Sequence, residues 1–196
     1  MPVLVCEEGV LAESAAILAY ADRHAPPERR LSAGDADVAA LERELDEHLG
    51  PAGRLWMYHE LRGHGDVAAA YATTGVPAWE QRMFPLAYPV IARMIDRILG
   101  VTPEAAGEAE RIVDAAFDGV AERLADGRPY LLGERFTAAD LTFAALAAAV
   151  LMPPRYGVPL PQPAELPPAM ASRVLAWRDH PAGRFALRCY DEERRR

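Results

Sequence analysis

An acid and a hydroxyl stand side by side where the first helical stretch of the sequence begins. Glu13 and Ser14 precede a run whose apolar residues repeat at helical spacing. A helix amino terminus presents unpaired N–H groups and a partial positive charge, so it suits a carboxylate. The Ser14 hydroxyl can donate to that carboxylate, while Glu13 can accept from an ammonium. The pair could therefore hold an α-amino-acid head group, although serine at a helix start is more often simply a cap.

A second pair of side chains indicates a helix start late in the chain. Thr137 can cap the N–H near Asp140, and Asp140 can reach back to the N–H of Thr137. This is the reciprocal pattern of a capping box, with aspartate in the usual Glu/Gln place, and Phe136 and Leu141 are spaced as a hydrophobic staple across it. The pattern is structural rather than chemical, and loss of the Thr137 cap should cost about 1 kcal/mol.

Two short strands and one helix must position the first pair. The sequence predicts strands at residues 2–6 and 10–11, joined by a tight turn, and then a helix from Glu13 to about His24. Ala25-Pro26-Pro27 ends that helix, and a polar linker follows. We expect three parts along the chain: an amino-terminal unit at 1–27, a linker at 28–34 and a second domain at 35–196.

Everything after Asp35 is predicted to be helical, so the expected fold is mainly α, an all-helical domain preceded by a β-β-α unit. Gly50-Pro51 is expected to interrupt the first helix of this domain. Pro85 and Pro89 are expected to kink a later one. The uncharged segment from Ala138 to Leu151 is predicted to be a buried core helix. The apolar stripe of the first helix comprises Val38, Leu41, Leu45 and Leu49.

Composition excludes several classes of function. The formal net charge is -8, which argues against a nucleic-acid partner. The chain has no Lys, which excludes a Schiff base and a Walker-type phosphate lysine. Cys6 and Cys189 lie too far apart in sequence to indicate a disulfide scaffold or a zinc site. The longest uncharged stretch is too short to cross a bilayer, and we expect a cytoplasmic protein without a membrane partner.

The two ends of the sequence together resemble a glutathione transferase. The amino-terminal part carries P-V-L-V followed by G-V-L-A-E-S-A-A-I-L, and the late part carries E-R-F-T-A-A-D-L-T-F-A-A-L. The resemblance covers nearly the whole chain. It implies that the amino-terminal unit is the last third of a thioredoxin-like domain, and that the remainder is the helical domain of the family.

The resemblance also assigns residues to a glutathione site. It implies that Pro2 is the cis-proline that opens the third strand, and that the backbone of Met1 pairs with the cysteinyl part of glutathione. Glu13 and Ser14 match the pair that holds the γ-glutamyl head group. Glutathione is thus the implied co-substrate, and a small hydrophobic electrophile is the implied partner.

One departure from the family concerns the catalytic residue. In the family, a strand and a helix before this proline supply the Tyr, Ser or Cys that activates the glutathione thiol, and the sequence from Met1 onward does not contain them. The catalytic residue is therefore unknown. We expect either that the start of the natural protein lies upstream of Met1, or that the fragment persists through its helical domain.

In the family, the electrophile lies against the first helices of the helical domain. The residues that fall on that segment are Trp56, Tyr58, His59 and Arg62. The alternative is that Trp56 and Tyr58 are core or interface aromatics. His59 and His64 are five residues apart, which is not the spacing of two ligands on one helix face, so we expect no metal.

Three functions remain open on the sequence. The leading one is a transferase that adds the glutathione thiol to an electrophile, with the thiolate stabilised by a hydroxyl or thiol donor. The second is a non-catalytic binding or assembly module of the same fold. The third is a helical interaction domain that binds no glutathione. The resemblance also implies a homodimer.

Overall fold

Helices account for most of the chain in the computed structural model, which describes residues 3–32 and 34–194. The strands are β1 (Leu4–Cys6) and β2 (Gly9–Leu11), and short 3-10 turns lie at Pro27–Arg29 and Pro163–Glu165. The helices are α1 (Ser14–His24), α2 (Ala36–Glu60), α3 (Gly65–Ala72), α4 (Ala78–Leu99), α5 (Pro103–Arg123), α6 (Ala138–Leu151), α7 (Pro168–Asp179) and α8 (Pro181–Glu192). The mainly α fold class is confirmed.

The core lies among α2, α5, α6, α7 and α8. The predicted apolar stripe of α2 is buried along its whole length. At the centre, the Trp56 and Trp177 rings meet edge to face with their centroids 4.6 Å apart. The Phe143 ring lies 5.6 Å from that of Phe117, also edge to face. Aromatic pairs in this arrangement add about 0.5–1.5 kcal/mol to the free energy of apolar burial.

Helix α2 continues through Pro51, which corrects the predicted interruption at Gly50-Pro51. Proline removes one backbone hydrogen bond. The helix tolerates this loss because residues on both sides are held in the core: Leu49 is fully buried and Ala52 nearly so. A Cβ on Gly50 would lie 3.1 Å from Leu146 Cδ2, so the missing side chain lets α2 cross α6 closely.

Helix α6 begins at the predicted capping box. Asp140 is fully buried, and its Oδ2 accepts hydrogen bonds from the Thr137 N–H at 2.7 Å and from Thr137 Oγ1 at 2.8 Å. Its Oδ1 accepts from the Leu131 N–H at 2.8 Å. Burial raises the pKa of Asp140, against the lowering effect of these hydrogen bonds. One carboxylate therefore fixes both the helix start and the loop before it.

The amino-terminal unit is built differently. Strands β1 and β2 pair antiparallel with Val5 opposite Val10, and Gly9 supplies a φ of 109° at the turn. Helix α1 has no buried residue. Asp22 accepts from the Leu31 N–H at 2.7 Å, and the Leu31 carbonyl accepts from the Ala138 N–H at 3.1 Å. The unit is thereby connected to the start of α6.

Helices α3 and α4 form an outlying pair. Helix α4 has no buried residue and runs through both Pro85 and Pro89, ending at Gly100 in the left-handed conformation. Kinks at the two prolines stay a prediction, as do the domain boundaries. The closing helical region consists of two helices, α7 and α8, because Pro181 at the first position of α8 starts a new helix.

Candidate functional site

A cleft of about 910 Å³ lies where the start of α1 faces the bundle. Its volume is in the range of small-molecule sites. Glu13 and Ser14 form one rim, α2 and α6 form the floor, and the loop after α6 forms a wall. Most of the lining side chains are apolar, so the cleft combines a polar rim with an apolar interior.

The polar rim is the amino terminus of α1. Glu13 occupies the N-cap position with no side-chain cap, and Ser14 is the first helical residue. The alternative in which Ser14 is the cap is thus not what the structure has. The first intrahelical bond runs from the Ile17 N–H to the Glu13 carbonyl at 3.0 Å. The N–H groups of Ser14, Ala15 and Ala16 are therefore not used by the helix, which suits them to an anion.

The floor is one face of α2, on which lining residues recur every three or four positions. They are Asp46, Gly50, Arg54, Met57, Tyr58 and Leu61. This is the helical period, so the face could have been predicted by stepping back from Tyr58 in whole turns. The prediction from the family resemblance instead takes Trp56, His59 and Arg62 with Tyr58, because they fall on one segment, and it omits Arg54.

Two of the predicted pocket residues have different positions. Tyr58 lines the cleft. Trp56 lies in the core with 2% of its surface exposed, which corrects its assignment to the pocket. Two residues along a helix correspond to a rotation of about 200°, so the two side chains point to opposite sides of α2. Trp56 is therefore a core aromatic, as the alternative interpretation predicts, whereas Tyr58 is not part of the core.

His59 and Arg62 are turned towards other partners. His59 Nδ1 lies 3.2 Å from Glu60 Oε1. Arg62 Nη2 forms an ion pair with Asp96 Oδ2 of α4 at 2.7 Å. Helix α2 ends at Glu60, so the chain has left the helical path before Arg62, and that side chain does not continue the cleft face. Neither residue is among those that line this cleft, and their assignment to the electrophile site stays a prediction.

The loop wall is anchored behind the cleft. Met152 ends α6 with φ 47° and ψ 60°, a left-handed conformation that costs a non-glycine residue about 1–2 kcal/mol. Its carbonyl accepts from Arg178 Nη2 at 2.5 Å and from Gln162 Nε2 at 3.3 Å. The loop between these anchors brings Tyr156 and Leu160 to the cleft. Burial lowers the pKa of Arg178.

Two predicted glutathione-binding residues are not described by the structure, and neither cysteine is part of the cleft lining. Met1 and Pro2, with the predicted cis bond, lie outside the described residues. Cys6 lies on β1, where its Sγ contacts the Gly9 carbonyl at 3.7 Å. Cys189 is buried in α8, and burial raises its pKa to about 12. Neither thiol lines the cleft.

The comparison with known families bears on the helical part. Residues 78–167 match the family model described as Glutathione S-transferase, C-terminal domain. The chain contains a glutathione S-transferase C-terminal domain. The match includes the capping box of α6, and the β-β-α unit before the bundle fits the end of a thioredoxin-like domain. No curated protein and no solved structure matches the chain significantly.

The described residues contain neither a metal-binding cluster nor a membrane-spanning helix. Over residues 3–32 and 34–194, no group of three or more His, Cys, Asp or Glu side chains is arranged to hold a metal ion. No helix in the same ranges is long and apolar enough to cross a membrane.

Proposed function

We propose that this protein binds glutathione at the amino terminus of α1 and transfers its thiol to a hydrophobic electrophile. The observation that supports this proposal is the cleft itself, which joins Glu13 and Ser14 to an apolar floor and wall. The glutathione S-transferase C-terminal domain supports glutathione as the co-substrate. Neither observation depends on the other.

The head group of glutathione carries an ammonium and a carboxylate on one carbon. In the proposal, the carboxylate accepts from the unused N–H groups of α1 and from the Ser14 hydroxyl. The Glu13 carboxylate accepts from the ammonium, since no first-turn donor of α1 holds it. The thiol then lies towards the apolar side of the cleft, where the electrophile binds. The proposal assigns no residue to thiol activation.

A non-catalytic binding module is the second candidate. It is supported by the position of the two thiols: Cys189 is buried in α8, Cys6 lies on the hairpin, and neither lines the cleft as an activating group. The two candidates share the head-group site and differ only in turnover. A cytoplasmic location stays a prediction from the sequence.

Retention on immobilised glutathione tests the shared site. We expect the wild-type protein to be retained, and Ser14→Ala and Glu13→Gln each to weaken retention about tenfold, because each removes one charge-assisted hydrogen bond. Ser172→Ala and Glu47→Gln are matched controls on exposed positions of α7 and α2. If the Ser14 and Glu13 variants behave as their controls do, the head-group site is wrong.

Conjugation of a chlorodinitrobenzene then separates the two candidates. Formation of the glutathione thioether above the uncatalysed rate supports the transferase. Retention without conjugation supports the binding module. If the protein is not retained and does not catalyse conjugation, it does not bind glutathione and both candidates are wrong.

We also propose that a second copy of the chain covers the outer face of α4. Helix α4 carries six large apolar side chains that are each more than half exposed: Trp79, Met83, Leu86, Val90, Met94 and Ile98. The spacing of three and four residues makes them one stripe. Dimerisation is frequent among proteins with this domain. Sedimentation equilibrium should give a dimer that Leu86→Glu dissociates and Leu175→Glu, at an isolated exposed leucine of α7, does not. A monomeric wild type would contradict this.

A further inference from the structure

The cleft contains one cation among its lining residues. The charged residues that line it are Glu13, Asp46 and Arg54. Within the described residues, Arg54 is exposed and forms no hydrogen bond or ion pair with the protein, unlike Arg62 eight residues later, which is paired with Asp96. The guanidinium therefore stands in the cleft with its donors available to a ligand.

The position of Arg54 on α2 explains why it stays unpaired. Asp46 lies eight residues earlier, which corresponds to about 12 Å along the helix axis, whereas helical ion pairs join residues three or four apart. Glu13 lies before α1 rather than on α2, and the proposed function assigns it to an ammonium. One turn before Arg54, Gly50 brings α2 against Leu146 of α6. Arg54 thus lies one helical turn after the point where α2 and α6 approach closely.

Most of the residues that line the cleft together with Arg54 are apolar. Met57 and Leu61 continue its face of α2, and Leu146 of α6 and Val67 of α3 line the same cleft. Such neighbours lower the local dielectric constant around a bound ligand, which strengthens its attraction to a cation compared with open solvent. A guanidinium also binds carboxylates and sulfonates through two parallel hydrogen bonds. The site suits a ligand with an apolar body and one anionic end.

We propose that Arg54 binds the anionic group of the second substrate, which is an apolar or aromatic acid rather than a neutral hydrocarbon-like electrophile. The inference rests on the proposed function in treating this ligand as a second substrate, while the anion site itself does not require that glutathione binds. Glutathione has a second carboxylate, on its glycine, and that carboxylate is the other source of the same chemistry. The test therefore has one arm for each source.

Two fluorescent probes that differ by one charge form the first arm. Anilinonaphthalene sulfonate and the uncharged N-phenyl-1-naphthylamine share an aromatic body, and only the first carries a sulfonate. We expect Arg54→Gln to weaken binding of the sulfonate about tenfold and that of the neutral probe less than twofold. Arg54→Lys should fall between wild type and Arg54→Gln for the sulfonate, because it keeps the charge and loses the paired hydrogen bonds.

The probe experiment has two control variants. Arg43→Gln changes an exposed arginine on α2 away from the cleft, and should leave both probes unaffected. Arg93→Gln changes an exposed arginine on α4, where the apolar stripe could also bind dye. If Arg93→Gln weakens binding of the sulfonate probe and Arg54→Gln does not, the probe binds at α4 rather than in the cleft, and the proposal is overturned. Equal weakening of both probes by Arg54→Gln overturns it as well.

Retention on immobilised glutathione forms the second arm. We expect Arg54→Gln to be retained as wild type is, because the proposal assigns the arginine to the other substrate. Loss of retention with an unchanged probe ratio would assign Arg54 to the glycine carboxylate and overturn the inference. If wild type is not retained, yet the sulfonate preference depends on Arg54, the proposed function fails while the anion site is supported.

Discussion

The amino-terminal unit and the helical bundle differ in how they are held together. No described residue before Val38 is buried, whereas the bundle from Val38 onward contains a continuous apolar core. The exposed valines of the hairpin, Val3, Val5 and Val10, are between 61% and 75% exposed. Their apolar burial therefore contributes little, because stabilisation scales with the area removed from water.

This difference separates stability from recognition. The bundle supplies the rigid floor of the cleft through the crossing of α2 and α6 at Gly50. The amino-terminal unit supplies the polar rim through Glu13 and Ser14. A substitution in one region should therefore change unfolding without changing the chemistry of the rim, and a substitution at the rim should do the reverse.

The largest effect is expected from a core aromatic. Phe143→Ala removes a fully buried ring that contacts Phe117 and Phe185, and should lower the free energy of unfolding by about 3–5 kcal/mol. Val5→Ser, at an exposed hairpin position, should change it by less than about 0.5 kcal/mol. Urea unfolding followed by circular dichroism measures both. A hairpin variant as damaging as the core variant would remove the distinction between the regions.

The capping box should give the next effect. Asp140→Ala leaves the buried Leu131 and Thr137 N–H groups without their acceptor, which should cost about 2–4 kcal/mol. Thr137→Ala removes one hydroxyl and should cost about 1 kcal/mol. The same urea titration compares them. Asp126→Ala, in an exposed turn, serves as the control and should have a smaller effect than either.

The ionisation of Asp140 should appear in the pH dependence of unfolding. Burial raises its folded-state pKa above the unfolded value of about 3.9, so its proton is bound more tightly in the folded protein. The stability that wild type has over Asp140→Ala should be greatest below about pH 3.9 and should fall as pH rises through the raised pKa. An advantage that grows with pH over this window would contradict the assignment.

The smallest effect is expected in the reactivity of the two cysteine thiols. Cys189 is buried and its pKa is raised to about 12, so almost no thiolate forms there at pH 8. Cys6 lies on the partly exposed hairpin. We expect Ellman's reagent to label one thiol per native chain, and Cys6→Ala to abolish that labelling. Labelling of Cys189 at a rate similar to that of Cys6 would show that the thiol in α8 is as accessible as the thiol on the hairpin, which would contradict its burial.

Part of this fold could be predicted from residue spacing. The bounds of α6 are those predicted, since the capping box fixes its start and Met152-Pro153-Pro154 follows its end. The path of α2 through Pro51 was not predictable, because burial of Leu49 and Ala52 outweighs a local signal. The face of α2 that lines the cleft was also missed. Helical spacing back from Tyr58 gives the residues of that face, whereas the approach of Leu146 at Gly50 is a tertiary contact that no local pattern contains.

Backbone amide NMR of a glutathione titration tests the central claim most directly. The account predicts that millimolar glutathione shifts the amide signals of Ser14, Ala15 and Ala16, whose N–H groups the helix leaves unused, together with that of Tyr58 across the cleft. It predicts no shift for Phe143 in the core. If the α1 amides stay in place while signals elsewhere move, glutathione binds at another site and the head-group assignment is wrong.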